Sequence, residues 1–105
     1  MENRMDKKDK DIFESLGYAQ YAVNPYEKYF KTFTPSNGDC IELRIRTTSP
    51  EEQALYQGKY SAKARRRGGS VFGIGFEVFF GDDIEDLDKK MQEDAEEKCK
   101  WRQAI

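Results

Sequence analysis

The sequence contains no histidine, and its 105 residues include only two cysteines, Cys40 and Cys99. The lack of histidine excludes Ser-His-Asp triads and histidine general bases, and two cysteines alone cannot complete the usual zinc ligand sets. We therefore expect a protein that is not an enzyme and that holds no cofactor or metal. A disulfide is an alternative for the cysteines, but two buried thiols are favoured in a reducing compartment.

Long apolar runs are also missing, since no segment approaches the roughly 18 residues needed to cross a bilayer. Charged residues make up 36% of the chain, and the first ten residues lack the apolar segment of a secretory signal. We therefore expect a cytoplasmic protein with no membrane partner. Residues 1–9 are expected to form a disordered charged arm, and residues 10–105 a single domain.

Alternating apolar and polar residues predict a sheet. Apolar residues alternate with charged ones from position 41 to 47, which is typical of a half-buried antiparallel strand. Weaker patterns predict further strands within 18–23, 26–34 and 59–69. In the Phe-rich segment 70–80, alternation predicts a core strand with one apolar face, formed by Phe72, Ile74, Phe76, Val78 and Phe80.

Three helices are expected around this sheet. A short helix near 11–16 should end at Gly17, and one near 50–57 should begin with a capping box of Ser49 and Glu52 and end at Gly58. From about 83 to 101, apolar residues recur every three or four positions and predict a long amphipathic helix. That apolar stripe consists of Ile84, Leu87, Met91, Ala95 and Cys99.

These elements predict an α+β fold, in which an antiparallel sheet of three to five strands packs on the long C-terminal helix. The expected core combines the sheet face with the first half of the helical stripe. It consists of Ile41, Leu43, Ile45, Phe72, Ile74, Phe76, Val78, Ile84, Leu87 and Met91.

The C-terminal helix is rich in acid, with nine carboxylates and two lysines between Asp82 and Glu97. One interpretation is a face that binds a partner by charge, and the alternative is an ordinary solvated helix surface. The candidate acidic face consists of Asp82, Asp86, Glu93, Glu96 and Glu97.

A basic segment precedes the Phe-rich strand, with five positive charges and no negative charge between positions 59 and 67. Such a patch suits phosphate contacts and direct nucleic-acid binding, but an ordinary exposed loop or a site for an acidic protein partner is favoured over that alternative. The candidate basic patch consists of Lys59, Lys63, Arg65, Arg66 and Arg67, together with Arg44 and Arg46 on a neighbouring strand.

The opening segment Ile12-Phe-Glu-Ser-Leu-Gly-Tyr18, followed by a strand such as 41–45, resembles small uncharacterised proteins of bacterial phages and prophages. The resemblance implies an accessory protein in the host cytoplasm. Such a protein would bind and inhibit a host protein or a nucleic-acid-handling or defence complex, in host takeover or counter-defence. A virion or assembly role is the alternative, and a second copy of the chain is a further candidate partner.

Overall fold

The computed structural model describes residues 7–23, 26–36, 40–66 and 75–103. Three helices and five strands follow one another along the chain. They are α1 (Lys7–Ser15), β1 (Ala19–Ala22), β2 (Lys28–Phe33), β3 (Ile41–Thr47), α2 (Pro50–Tyr56), β4 (Tyr60–Arg66), β5 (Val78–Gly81) and α3 (Ile84–Gln103).

The five strands form one antiparallel sheet in the order β1-β2-β3-β4-β5, so that each strand pairs with its neighbour in sequence. The sheet, the long C-terminal helix and the two short helices confirm the predicted α+β fold. β3 lies at the centre, as expected for the segment with the clearest alternation of apolar and charged residues.

Strand register separates two faces, because residues directly opposite each other in an antiparallel pair project to the same side. On one side, the core face, Tyr29, Ile45 and Ala62 pair across β2, β3 and β4, and all three are buried. On the other side, which we call the open face, strands β2 to β5 place Lys28, Phe30, Thr32, Glu42, Arg44, Arg46, Ser61, Lys63, Arg65, Val78 and Phe80.

Both α1 and α3 cover the core face. Phe13 of α1 stacks on Tyr29 with ring centroids 4.1 Å apart, and it meets Tyr18 and Tyr60 edge-on at 5.5 and 5.8 Å. The predicted stripe of α3 is fully buried against the sheet, and consists of Ile84, Leu87, Met91, Ala95 and Cys99. Aromatic rings from α1, β2, β4 and the connection before β1 therefore complete a core whose aliphatic part comes mainly from β3 and α3.

A buried carboxylate also ties α3 to the sheet. Asp88 accepts hydrogen bonds from the Tyr18 hydroxyl at 2.7 Å and the Gln92 amide at 2.9 Å, and it pairs with the Lys31 ammonium at 2.9 Å. Lys31 also donates to the Leu16 carbonyl at 2.9 Å. Burial, reinforced by the Asp88 carboxylate, raises the pKa of the Tyr18 hydroxyl well above its usual range.

The Phe-rich segment departs from its prediction. Within segment 70–80, Val78–Gly81 is the only part of the described residues that forms a strand. Its register sets Val78 opposite Lys63 and Phe80 opposite Ser61, on the open face. Val78 is 46% exposed, so its assignment to the core is wrong. Phe76 packs against the core as predicted, and Phe79 packs there in place of Val78. Residues 75–77 are not in a strand, so the alternation does not continue through them. Phe72 and Ile74 lie outside the described residues.

Helix boundaries differ slightly from expectation. α1 begins at Lys7, so residues 7–9 are helical rather than part of the charged arm, and residues 1–6 lie outside the described residues. Gly17 adopts the left-handed conformation expected after α1, with φ of 89°. After α2, Gln57 takes this conformation, with φ of 54°, in place of the expected Gly58.

The two cysteines are free thiols in different surroundings. Cys99 is buried in α3, whereas Cys40 is exposed just before β3, so the expectation that both are buried is wrong for Cys40. Over the described ranges, no helix combines the length and apolar character required to span a membrane.

Candidate functional site

The open face carries a groove of about 440 Å³ that crosses the sheet from β1 to β5 and is bordered by α2. Two cross-strand rows of side chains line it. The first row runs across β2 to β5 through Lys28, Arg46, Ser61 and Phe80. The second row runs one step further along the strands through Arg44, Lys63 and Val78, and Phe30 lies opposite Arg44 outside the groove lining.

In the first row, Arg46 is held by α2. Its guanidinium donates to both carboxylate oxygens of Glu52, at 2.8 and 2.7 Å, and its Cζ lies 5.5 Å from the Tyr26 ring centroid. Glu52 also completes the predicted capping box by accepting from the Ser49 amide at 2.9 Å. The bond to Arg46, with that from Ser49, lowers the pKa of Glu52 to about 2, and the same pair raises the pKa of Arg46.

In the second row, Arg44 forms an ion pair with Glu42 on the same strand. Its Cζ also lies 5.8 Å from the ring centroid of Tyr21. Tyr21 in turn meets the Phe30 ring edge-on at 5.4 Å, at a point where the pairing of β1 with β2 shifts register. Arg44 therefore lies against an aromatic wall that is still partly open to solvent, since Tyr21 is 46% exposed.

The two lysines of the groove differ from the arginines. Lys28 lies directly opposite Arg46, and Lys63 lies directly opposite Arg44. Neither lysine has an ion-pair partner among the residues that the structure describes. Like charges directly opposite each other destabilise a sheet. The groove therefore has two pairs of opposed cations. In each pair only the arginine is balanced by a carboxylate of the same chain.

Apolar side chains form the rim of the groove near α2. Tyr56 stacks on Phe80 with ring centroids 4.2 Å apart and an angle of 10° between the rings. Leu55 is 74% exposed and Tyr56 53% exposed. Val78 of β5 is 46% exposed, so apolar side chains of both α2 and β5 are open to solvent.

The structure brings together four members of the candidate basic patch, since Arg44, Arg46, Lys63 and Arg65 all project from the open face. The others lie elsewhere. Lys59 precedes β4, where its amide donates to Asp82 at 2.8 Å, and Arg66 lies opposite Ile41 on the core face. Arg67 lies outside the described residues.

The candidate acidic face is less coherent. Asp82 caps the Lys59 amide, Asp86 pairs with Lys90 at 3.0 Å, and Glu96 accepts from the amide and hydroxyl of Ser36 at 2.9 and 2.8 Å. Two of its five members, Glu93 and Glu97, are exposed on α3 with none of these contacts.

Two further carboxylates of α3, Asp88 and Asp94, are buried rather than presented to solvent. Asp94 pairs with Lys98 at 2.9 Å, which raises the pKa of that lysine. The negative charge of α3 is therefore partly used within the molecule.

Sequence reasoning missed two residues of the groove, Lys28 and Tyr21. Lys28 could have been found by extending the alternation of β2, because Lys28, Phe30 and Thr32 share the side opposite buried Tyr29. Tyr21 could not, because a register shift in β1 has no clear signal in a segment as short as Ala19–Ala22.

The groove presents cationic and aromatic side chains, which can bind an acidic ligand. Within the described part of the chain, no three cysteine or acidic side chains come together as a metal site would require. No protein-family model, curated protein or solved structure matches this chain. The groove, with its opposed cations and apolar rim, is therefore the candidate functional site.

Proposed function

We propose that this chain is a non-enzymatic binding protein that docks through its open face onto an acidic surface of another protein. The observation that carries the proposal is the groove, in which four cations lie on three adjacent strands beside exposed aromatic and aliphatic side chains. Positive charge steers association with an acidic partner and selects against basic ones.

The composition of the rim favours a protein as the partner. Tyrosine and arginine are enriched where protein interfaces gain most of their binding energy. The groove has Tyr21, Arg44 and Arg46, and Tyr56 stacks on its Phe80. Leu55 and Val78 add exposed aliphatic surface, which a second protein can cover. A nucleic acid would use the cations through its phosphates and the exposed tyrosines through base stacking, but it would leave the aliphatic Leu55 and Val78 in water.

The resemblance of residues 12–18 extends the proposal to a biological role. We propose that the partner is a bacterial host protein, in a nucleic-acid-handling or defence complex in the cytoplasm, and that binding inhibits it. The open face, rather than the acidic side of α3, makes the contact, because several of the α3 carboxylates are already engaged within the chain.

A capture experiment from bacterial lysate tests this proposal. The wild-type chain is compared with a Lys28→Glu/Lys63→Glu variant, whose two altered lysines have no ion-pair partner in the described part of the chain. A Lys10→Glu/Lys89→Glu variant has the same charge change on exposed positions of α1 and α3. A Glu93→Lys/Glu97→Lys variant tests the acidic side.

We expect one protein to be retained by the wild type and by the α1/α3 control, and to be lost by the open-face variant. Retention should survive nuclease treatment and should weaken as salt is raised. Retention by the open-face variant, or loss only in the Glu93→Lys/Glu97→Lys variant, would contradict the proposed face. Loss after nuclease treatment would show that nucleic acid, not protein, is held.

A further inference from the structure

We propose that the groove receives an extended segment of the partner in which acidic side chains occupy alternate positions. This inference rests on the proposed function and specifies what the open face recognises. It follows from the spacing of the cations, the lack of a countercharge for the two lysines and the shape of the groove. The segment can reach these cations without movement of any residue of the chain.

Spacing selects an extended ligand. Arg44 and Arg46 are two residues apart on β3, which places them about 7 Å apart along the strand. Each is opposed by a lysine, so the groove presents two cation pairs at that repeat. An extended peptide has the same repeat between side chains on one face, whereas residues i and i+2 of a helix do not share a face.

Charge selects an acidic ligand. Glu52 and Glu42 each supply one carboxylate, to Arg46 and Arg44 respectively, and the described residues supply none to Lys28 or Lys63. One carboxylate from the ligand per row would balance each opposed pair. Hydrogen bonds between charged groups are stronger than neutral ones, so both rows would contribute to affinity.

The walls favour a peptide over a phosphodiester chain. Because Arg44 and Arg46 repeat along β3, the segment would run parallel to that strand, with Tyr21 of β1 on one side and Phe80 of β5 on the other. Ser61 lies between Arg46 and Phe80 and offers a hydroxyl donor. The groove is open and about 440 Å³ in volume, enough for a few residues of extended chain. The main chain of the segment and the stems of its acidic side chains would cover the apolar walls, since the side chains between the acidic positions point away from the sheet.

Fluorescence anisotropy with synthetic ligands tests this inference without knowledge of the natural partner. A labelled octapeptide with alternating Asp and Val is compared with an isomer of repeated Asp-Asp-Val-Val, in which no two Asp are two residues apart. A twelve-residue oligothymidylate is the third ligand. Each is titrated with the full chain up to about 1 mM, where weak complexes remain measurable.

We expect the alternating peptide to bind about tenfold more tightly than its isomer, since only the former meets both cation pairs from one extended strand. Lys28→Glu and Lys63→Glu should each weaken binding about tenfold, and the matched Lys89→Glu variant on α3 should leave it unchanged. Binding should weaken with added salt.

Three results would overturn the inference. Equal affinity for the two peptides would show that spacing plays no part, and no binding of either would show that the groove does not take an acidic segment. Tighter binding of the oligothymidylate would assign the groove to nucleic acid. In the first two cases lysate capture that still depends on the open face would leave the proposed function intact, so the two failures are distinguishable.

Discussion

At the scale of single residues, Gly58 is the position with the least room. A β-carbon built on Gly58 would lie 2.5 Å from the Gly81 amide nitrogen and 2.8 Å from its α-carbon. These are backbone atoms at the end of β5, so they cannot rotate out of the way as a side chain could. The close approach lets β4 and β5 meet directly after α2.

We therefore expect Gly58→Ala to reduce the free energy of unfolding by about 1–3 kcal/mol, because one strand must shift to admit the methyl group. Gly75→Ala is the control, since no atom lies within 4 Å of the corresponding β-carbon. Urea denaturation followed by circular dichroism measures both variants. Equal stabilities for the two would show that β4 and β5 are further apart than described here.

Asp88 illustrates a residue whose role cannot be assigned from composition. By sequence it is one of nine carboxylates in an acidic stretch, yet it is 7% exposed and bonded to Tyr18, Lys31 and Gln92. The tyrosine and the lysine are 70 and 57 positions away, so only the folded sheet brings them to α3. A buried carboxylate is retained when it is paired in this way.

At the scale of elements, β5 gives the sharpest test of which side of the sheet is buried. Phe79 packs against the core, whereas Val78 is 46% exposed on the open face. We expect Phe79→Ala to lower the free energy of unfolding by about 2–3 kcal/mol, because the half-buried ring leaves a cavity. Val78→Ala should cost less than about 1 kcal/mol. The reverse order, measured by urea denaturation, would restore the sequence-based face assignment.

The sequence predicted the elements better than their faces. The alternation of β3, the capping box of α2 and the stripe of α3 are local patterns, and all three are confirmed. Which side chains of β5 point to the core depends on where the strand begins, and a run of apolar residues is compatible with either choice. The groove depends on register across four strands, so Arg44 and Lys63 could be proposed as neighbours but not as directly opposite.

The ion pair between Arg46 of β3 and Glu52 of α2 should make the free energy of unfolding depend on pH. Because the folded-state pKa of Glu52 is about 2, below its usual value of 4.5, the unfolded chain takes up the proton first as pH falls. The contribution of Glu52 is therefore complete above pH 4.5 and is lost as pH approaches 2. We expect about 1–2 kcal/mol, because a quarter of the Glu52 side chain remains exposed.

Urea denaturation from pH 7 to pH 2 measures this effect against a Glu52→Gln variant. Glutamine preserves the capping box but not the charge, so the variant should lose less stability across this range than the wild type. Parallel pH curves for the two proteins would show that the bond with Arg46 contributes nothing to folding.

At the scale of the whole molecule, the two faces of the sheet differ in composition and in exposure to solvent. The core face, with α1 and α3, supplies nearly all the buried apolar surface, whereas the open face has cations and exposed rings. A protein that used this sheet for stability alone would gain from covering the open face or from alternating its charges. The opposed cation pairs Lys28/Arg46 and Arg44/Lys63 do neither.

If the opposed cations are kept for binding, removing one should make the protein more stable and less able to bind. Lys63→Glu sets a carboxylate directly opposite Arg44, so we expect the free energy of unfolding to rise by about 0.5–1 kcal/mol at low salt. The gain should shrink as salt screens the pair. Binding of the alternating acidic peptide should fall in the same variant.

Lys89→Glu provides the contrast, because the charge change is identical but the surroundings are acidic. Lys89 lies one helical turn from Glu85 and from Glu93, so its reversal should cost a few tenths of a kcal/mol and leave binding unaffected. Urea denaturation at low and high salt, with anisotropy on the same samples, measures both properties. A Lys63→Glu variant that is less stable than the wild type would show that the opposed cations do not destabilise the fold. Their presence would then give no support for a ligand.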